Sequence, residues 1–312
     1  MLGTAFDKVV GYLDKRLVLT VLLPLLAFSV AGGSVVLIHV GWAEALAWWE
    51  AVTSEQRLVL AVVGAAGFIF VGLLLSSQIG LLTRWYEGYW GEGAIGGWLA
   101  GVGRRMQRRR HERLDPGSDR DFEVRYRLFP RDAADLLPTR LGNVFKGAET
   151  YPSDVGRYGM DAVFFWPRLH AVMPQHFRDT LAEARSSLDL LIVTSFLALA
   201  FAALSAAYLA TVDEVRWWLW SLAIGAGVVT SRVAYLGALR TAVVFGELVR
   251  CAFDLYRDEL RKHLGFAAPA SLEDERALWH AVGQQLYRRM ASDQSRLVYP
   301  ASPRSVDARE PD

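Results

Sequence analysis

The chain is short of several things, and each shortage closes a class of function. With Cys251 as its one cysteine it has neither an internal disulfide nor a paired-cysteine zinc site, and on an apolar helix face that residue reads as a small buried hydrophobe rather than a reactive thiol. There is no Walker loop, no dinucleotide-binding glycine fingerprint on a strand and no Gly-x-Ser-x-Gly elbow, which weighs against the common nucleotide-dependent and serine-nucleophile enzymes. No proline interrupts the stretch from Trp217 to Leu264. Nor does any ionisable residue fall at the middle of a long apolar run, where proton- or ion-coupled carriers usually need one. Arg232, the deepest, lies near the inner end of its run, where its stem can snorkel.

What the chain has in excess is apolar surface. Of its 312 residues 53% are hydrophobic, against about 45–50% in a typical soluble domain. Its net charge of +1 conceals charges segregated along the chain, and the basic residues are nearly all arginine, a composition that suggests a bacterial source. Four apolar runs, at about 17–40, 58–83, 190–210 and 217–239, are long enough to cross a bilayer. The first is too long for a signal peptide's apolar core, and Pro24 is expected to bend it. Only Thr211 to Arg216 separates the last two, so the expected fold is an all-α integral membrane protein of four spans in two hairpins with a helical cytosolic layer.

The distribution of positive charge sets the expected orientation. Between Arg84 and Ser187 there are 17 Lys and Arg, whereas the two short hairpin loops carry more acids than bases; the positive-inside rule puts both termini and 84–187 in the cytoplasm of a bacterial inner membrane. Six arginines, Arg104, Arg105, Arg108, Arg109, Arg110 and Arg113, follow a glycine-rich amphipathic stretch, a pattern expected to lie on an anionic inner leaflet. Nucleic acid is not an expected partner, because the cluster sits close to a membrane end and no binding module accompanies it.

The expected segments are therefore 1–83 with the first hairpin, 84–187 as the cytosolic region between hairpins, 188–239 with the second hairpin, 240–291 as a cytosolic helical extension, and 292–312 as a disordered tail. Small residues recur every four positions in the third run (Thr194, Ala198, Ala202, Ala206, Ala210) and the fourth (Ala223, Gly227, Ser231), which lets helices approach closely within one chain. Past the fourth run, Arg250 and Asp254 are spaced to pair along one helix, and so is Asp258 with Arg261 and Lys262. Ser271 with Asp274 suits the start of another helix with Leu278, Val282, Leu286 and Met290 as its apolar stripe.

The most individual stretch runs from Leu136 to Leu169. Its Arg140-Leu141-Gly142-Asn143, Tyr151-Pro152, Arg157-Tyr158-Gly159, Asp161 and Trp166-Pro167-Arg168-Leu169 resemble sequences of function-unassigned bacterial four-span membrane proteins, a resemblance that covers about a tenth of the chain and implies no activity. Physically, Arg140, Asn143, Arg157, Tyr158 and Asp161 are expected to form a polar network that folds this stretch, or, with Arg168, an anion site. The predicted topology is also similar to that of bestrophin anion channels, in architecture alone.

The leading expectation is a homo-oligomeric pore, anion-conducting, lined by Gly64, Gly67, Gly72, Ser76, Ser77 and Gln78 of the second span. The alternative is a membrane-anchored scaffold that recruits a cytosolic protein through its helices. A lipid-modifying enzyme using Asp161, His170 or His176 is a third reading, and the spacing of these histidines with Asp161 and Asp179 fits a metal site poorly, so no metal or cofactor is expected.

Overall fold

The computed structural model describes residues 15–91, 93–154, 156–211 and 217–288; the 292–312 tail and Met290 lie outside them. Among the described residues the regular structure is helical, without strands. Its main helices are α1 (Leu23–Val40), α2 (Trp42–Ala51), α3 (Ser54–Ser77), α4 (Ile79–Glu87), α5 (Ala94–Glu112), α6 (Asp119–Leu128), α7 (Arg140–Thr150), α8 (Ala162–Val172), α9 (Gln175–Ala210), α10 (Trp217–His263) and α11 (Leu272–Arg288). Four segments are long and apolar enough to cross a membrane: Val18–Val40, α3, α9 and α10.

Local chemistry sets the helix ends. Just before Pro24 the chain forms a π-helical turn, Val18–Leu22, in which the Leu23 N–H reaches back to the Val18 carbonyl. The proline, having no N–H, cannot extend the regular bonding pattern, so the expected irregularity falls on the turn preceding it. α3 starts earlier than the apolar run at Leu58 because Thr53 and Gln56 form a capping box, with Thr53 Oγ1 accepting from the Gln56 N–H at 3.3 Å and Gln56 Oε1 from the Thr53 N–H at 3.0 Å. The same run was expected to continue to residue 83, but the helix breaks at Gln78 (φ −97°, ψ 2°). There Ser77 Oγ donates to the Leu74 carbonyl and Gln78 Nε2 to Ser77 Oγ, side-chain bonds that compete with continuing the helix. α10 ends at Gly265 in the left-handed region (φ 78°), and Ser271 Oγ accepts from the Asp274 N–H at 3.1 Å to start α11.

The chain divides into two units. The first comprises Met1–Gly103, Pro138–Gly142 and Ala182–Ala242. In it the small-residue stripes of α9 and α10 face each other: a Cβ added to Gly227 would sit 2.7 Å from Ala202 Cβ and 2.8 Å from the Ala198 carbonyl oxygen. Nearby, Ser195 Oγ reaches the Ser231 carbonyl at 3.0 Å and accepts from Tyr86 Oη at 2.9 Å. Val35, Leu209, Leu219 and Ala223 form a small buried cluster. Asp189, 2% exposed, receives Arg16 at 2.6 Å and Arg185 at 3.0 Å.

The second unit comprises Arg104–Leu137, Asn143–Leu181 and Val243–Asp312. Its core gathers Met160, Phe165, Leu169, Phe253, Leu260, Trp279 and Val282, with the Phe165 and Trp279 rings edge to face at 5.3 Å. An Arg257–Glu275 ion pair at 2.9 Å links α10 to α11, and Arg276 Nε donates to the Arg157 carbonyl at 2.7 Å. Cys251 is half-buried, and burial pushes its thiol above the ordinary range, in keeping with a packing role.

The α9–α10 contact gives a direct test. Gly227→Leu, which must displace a backbone carbonyl, is expected to lower the thermal midpoint of the detergent-solubilised protein by several degrees, an overpacking cost of about 1–3 kcal/mol. Gly225→Leu, where nothing lies within 4 Å, is expected to leave it unchanged. Equal midpoints for both variants would contradict the packing.

Candidate functional site

The block that follows α7 is held to α10 by one carboxylate. Asp254 accepts from Tyr158 Oη at 2.7 Å and from Tyr151 Oη at 3.0 Å. Each phenol also carries a guanidinium on its face, Arg257 over Tyr158 at 3.9 Å and Arg157 over Tyr151 at 4.4 Å. Burial pushes both phenols above the ordinary tyrosine range, and the Asp254 carboxylate pushes the same way by charge and hydrogen bond.

Beside this hub is a cavity of about 530 Å³ whose walls include Arg125, Arg131, Arg157 and Arg250, the single carboxylate Asp154, and the rings of Phe122, Tyr126, Phe129 and Tyr151. Arg250 is 3% exposed in its side chain. Its Nη2 donates to the Tyr126 carbonyl at 2.8 Å, its Nη1 to Glu247 at 3.0 Å, and its plane lies 4.3 Å from the Tyr126 ring. Glycine at 147 makes room for this: a Cβ there would stand 2.7 Å from the Phe129 carbonyl oxygen and 3.3 Å from Arg250 Nη2. Arg250 Nε is buried without a partner. Arg125 donates to His111 Nε2 from Nε at 3.3 Å and from Nη2 at 3.0 Å, an arrangement that needs a neutral ring protonated on Nδ1. Burial, then the charge of Arg125, holds His111 below the ordinary imidazole range. Burial raises Asp154 above the ordinary carboxylate range, against the pull of Arg131, Arg157 and Arg250.

The six residues expected to form a polar or anion site have the following places. Arg157 lines the cavity and Tyr158 binds Asp254. Asn143 is fully buried and bonds both backbone groups of Leu137, at 2.7 and 3.1 Å. Asp161 caps α8 by accepting from the Phe164 N–H at 3.0 Å. Arg168 folds back onto its own helix, donating to the Phe164 carbonyl at 2.7 Å next to Pro167, which brings no N–H to the turn. Arg140 opens α7 in the first unit. The expected Arg250–Asp254 pairing is replaced: Asp254 is taken by the two phenols, and Arg250 turns back to Glu247. Asp258 does pair with Arg261 at 2.8 Å and Lys262 at 3.0 Å.

Of the arginine run, Arg104, Arg105, Arg108, Arg109 and Arg113 are exposed and Arg110 is half-buried, while Gln107 and His111, one turn apart, point inward. Of the second-span set, Gly64, Gly67, Ser77 and Gln78 are exposed, Ser76 is half-buried, and Gly72 is covered by Leu22. His170, His176 and Asp179 are exposed, and among the described residues no three His, Cys, Asp or Glu side chains gather as metal ligands would. The residues that sequence reasoning missed are Arg125, Arg131, Arg250, His111 and Asp154. Arg250 alone gave a signal, as a basic residue one turn from the acid that organises the site.

The two phenols make stability pH-dependent. The folded chain keeps protons that the unfolded chain releases above about pH 10, so the unfolded state binds fewer protons and stability falls as pH rises through that window, by about 1.4 kcal/mol per pH unit for each phenol held neutral. Protection of α8 against hydrogen exchange in the full chain, taken relative to the intrinsic amide rate at each pH, is expected to fall accordingly between about pH 10 and pH 11, and Tyr158→Phe to make that dependence shallower. A pH dependence unaltered by Tyr158→Phe would show that the Tyr158 proton is not retained.

Comparison with protein-family models, curated proteins and solved structures finds no match for the chain.

Proposed function

We propose that the chain is a multi-pass protein of a bacterial inner membrane that assembles with copies of itself around a shared, anion-conducting pore. The observation that carries this reading is the exposure of α3, in whose apolar window only 6% of residues are buried. Among the glycines of α3 only Gly72 has neighbours within 4 Å, the side chains of Leu22 and Leu25, while Gly64 and Gly67 have none. In this reading the four apolar helices form two hairpins, and both termini and the second unit lie in the cytoplasm, with a bilayer whose inner leaflet is anionic. Trp42, Trp48 and Trp49, exposed on and beside the connection between α1 and α3, suit an outer interfacial belt. α5, with exposed Ile95, Trp98 and Val102 ahead of its outward arginines, suits an inner-leaflet surface helix. Gly64, Gly67, Ser77 and Gln78 line the path; Gly72, already covered within the chain, does not.

A second reading, a scaffold for a cytosolic protein, is favoured by Leu286 and Tyr287, which are 45% and 73% exposed at the end of α11. Val282 is fully buried and cannot serve such a partner directly.

The mass of the full chain in nanodiscs comes first, and a ring of several copies is the expected result. Reconstituted into planar bilayers, such a ring is expected to conduct anions, with Gln78→Leu changing the unitary conductance at least about twofold, since replacing a polar lining group by an apolar one dewets a constriction. A monomer, or a ring whose current ignores Gln78, would defeat the pore. Partner capture lost in Leu286→Asp would then carry the scaffold reading.

A further inference from the structure

Three of the cations around the second unit's cavity are incompletely satisfied. Arg125 is half-buried and bonded to a neutral imidazole, which leaves its charge uncompensated. Arg157 rests on the Tyr151 ring at 4.4 Å, and among the described residues its guanidinium donates no hydrogen bond and joins no ion pair. Arg250 keeps a buried Nε without an acceptor. Withdrawing guanidinium groups from water without full pairing costs free energy, and all three residues belong to the wall of the cavity. Phe122, also on the wall, is 62% exposed, an aromatic face open at a cationic site. The volume of about 530 Å³ falls within the usual range of small-ligand pockets, about 300–1,000 Å³.

We infer that this cavity binds a soluble phosphate monoester bearing a flat ring, with the phosphate held by Arg125, Arg157 and Arg250 and the ring set against Phe122 and Tyr126. A phosphate dianion offers three acceptor oxygens to several guanidinium forks at once, whereas a carboxylate saturates a single fork. The aromatic walls add stacking surface that a bare inorganic anion leaves unused. Asp154 is the opposing element. It stands among Arg131, Arg157 and Arg250, with Asp135 also nearby, and its negative charge weakens the field an incoming phosphate meets. This inference is independent of the pore, since it rests on side chains of the second unit alone.

The test uses the full chain in phosphatidylcholine nanodiscs, titrated calorimetrically with adenosine monophosphate, inorganic phosphate and adenosine. Saturable binding of the monophosphate, tighter than that of inorganic phosphate and absent for adenosine, is expected. Arg157→Ala is expected to weaken it about tenfold or more, the worth of one charge-assisted contact. Asp154→Asn is expected to tighten it several-fold by removing the opposing charge. Arg168→Ala, whose guanidinium is spent on its own helix, is expected to change nothing and serves as a charge-loss control. A parallel set of discs containing phosphatidic acid separates the sources of phosphate. Arg157-dependent binding seen only with that lipid would overturn the soluble, ring-bearing ligand, and monophosphate binding that is absent, or equal in wild type and Arg157→Ala, would overturn the site.

Discussion

The second unit depends on how a single turn of α10 is satisfied. Arg250 and Asp254 lie four residues apart, the spacing at which an exposed helix would pair them for a few tenths of a kcal/mol. Here they turn away from each other. Asp254 takes two phenols from the block after α7, and Arg250 takes a carbonyl at the end of α6 and a carboxylate one turn back. Each group thereby ties a different stretch of chain to the helix. Hydrogen bonds to a charged group are worth about 1.5–3 kcal/mol, so the alternative pairing recruits far more structure than the local one would. The arrangement also places Arg250 beside the cavity with its Nε unpartnered.

The first unit buries a charge of its own. Asp189 is almost wholly buried, yet it has a guanidinium on each oxygen, from Arg16 and from Arg185. Removing either partner would leave that carboxylate poorly compensated, a situation far costlier than an exposed pair. Between α9 and α10 the polar atoms form a short chain, Tyr86 to Ser195 to the Ser231 carbonyl, so the close approach permitted by Gly227 is reinforced by directional bonds.

Much of the helical framework was legible in the sequence because apolar length and proline-free periodicity are local properties. The unbroken course of α10 to His263 and the Ser271 start of α11 both followed from them. The break at Gln78 did not, because it depends on side-chain bonds from Ser77 and Gln78 that hydropathy ignores. The Thr53–Gln56 capping box was a readable signal ahead of Leu58 that the apolar run overshadowed. The cavity was hidden for a different reason. Arg125 and Arg157 are 32 residues apart in sequence and Arg250 another 93 beyond, and nothing local says that Tyr126 and Tyr151 bring them to one wall. Asp161 was expected in a polar network that folds this stretch and Arg168 in the alternative anion site; Asp161 caps α8, and Arg168 bonds the carbonyl of Phe164 one turn back.

The geometry of α3 limits how any assembly can use it. Leu58, Val59, Leu60, Val62 and Val63 are all between 48% and 67% exposed and Ala61 among them is exposed too, and at about 100° per residue these neighbours point to every side of the helix. No single partner surface covers a full circumference, since a packed neighbour takes an apolar stripe little more than about 100° wide. Most of α3 must therefore meet lipid in the proposed bilayer, and a second copy can occupy one strip. Gly64 and Gly67 are three residues apart, neighbours on one face, and nothing lies within 4 Å of where a Cβ would stand at either. Gln78 lies 11 residues beyond Gly67, close to three full turns at about 3.6 residues each, so one strip carries both glycines and ends near the polar break. A pore lined by that strip would consequently be apolar along most of its length, with its polar groups confined to one end.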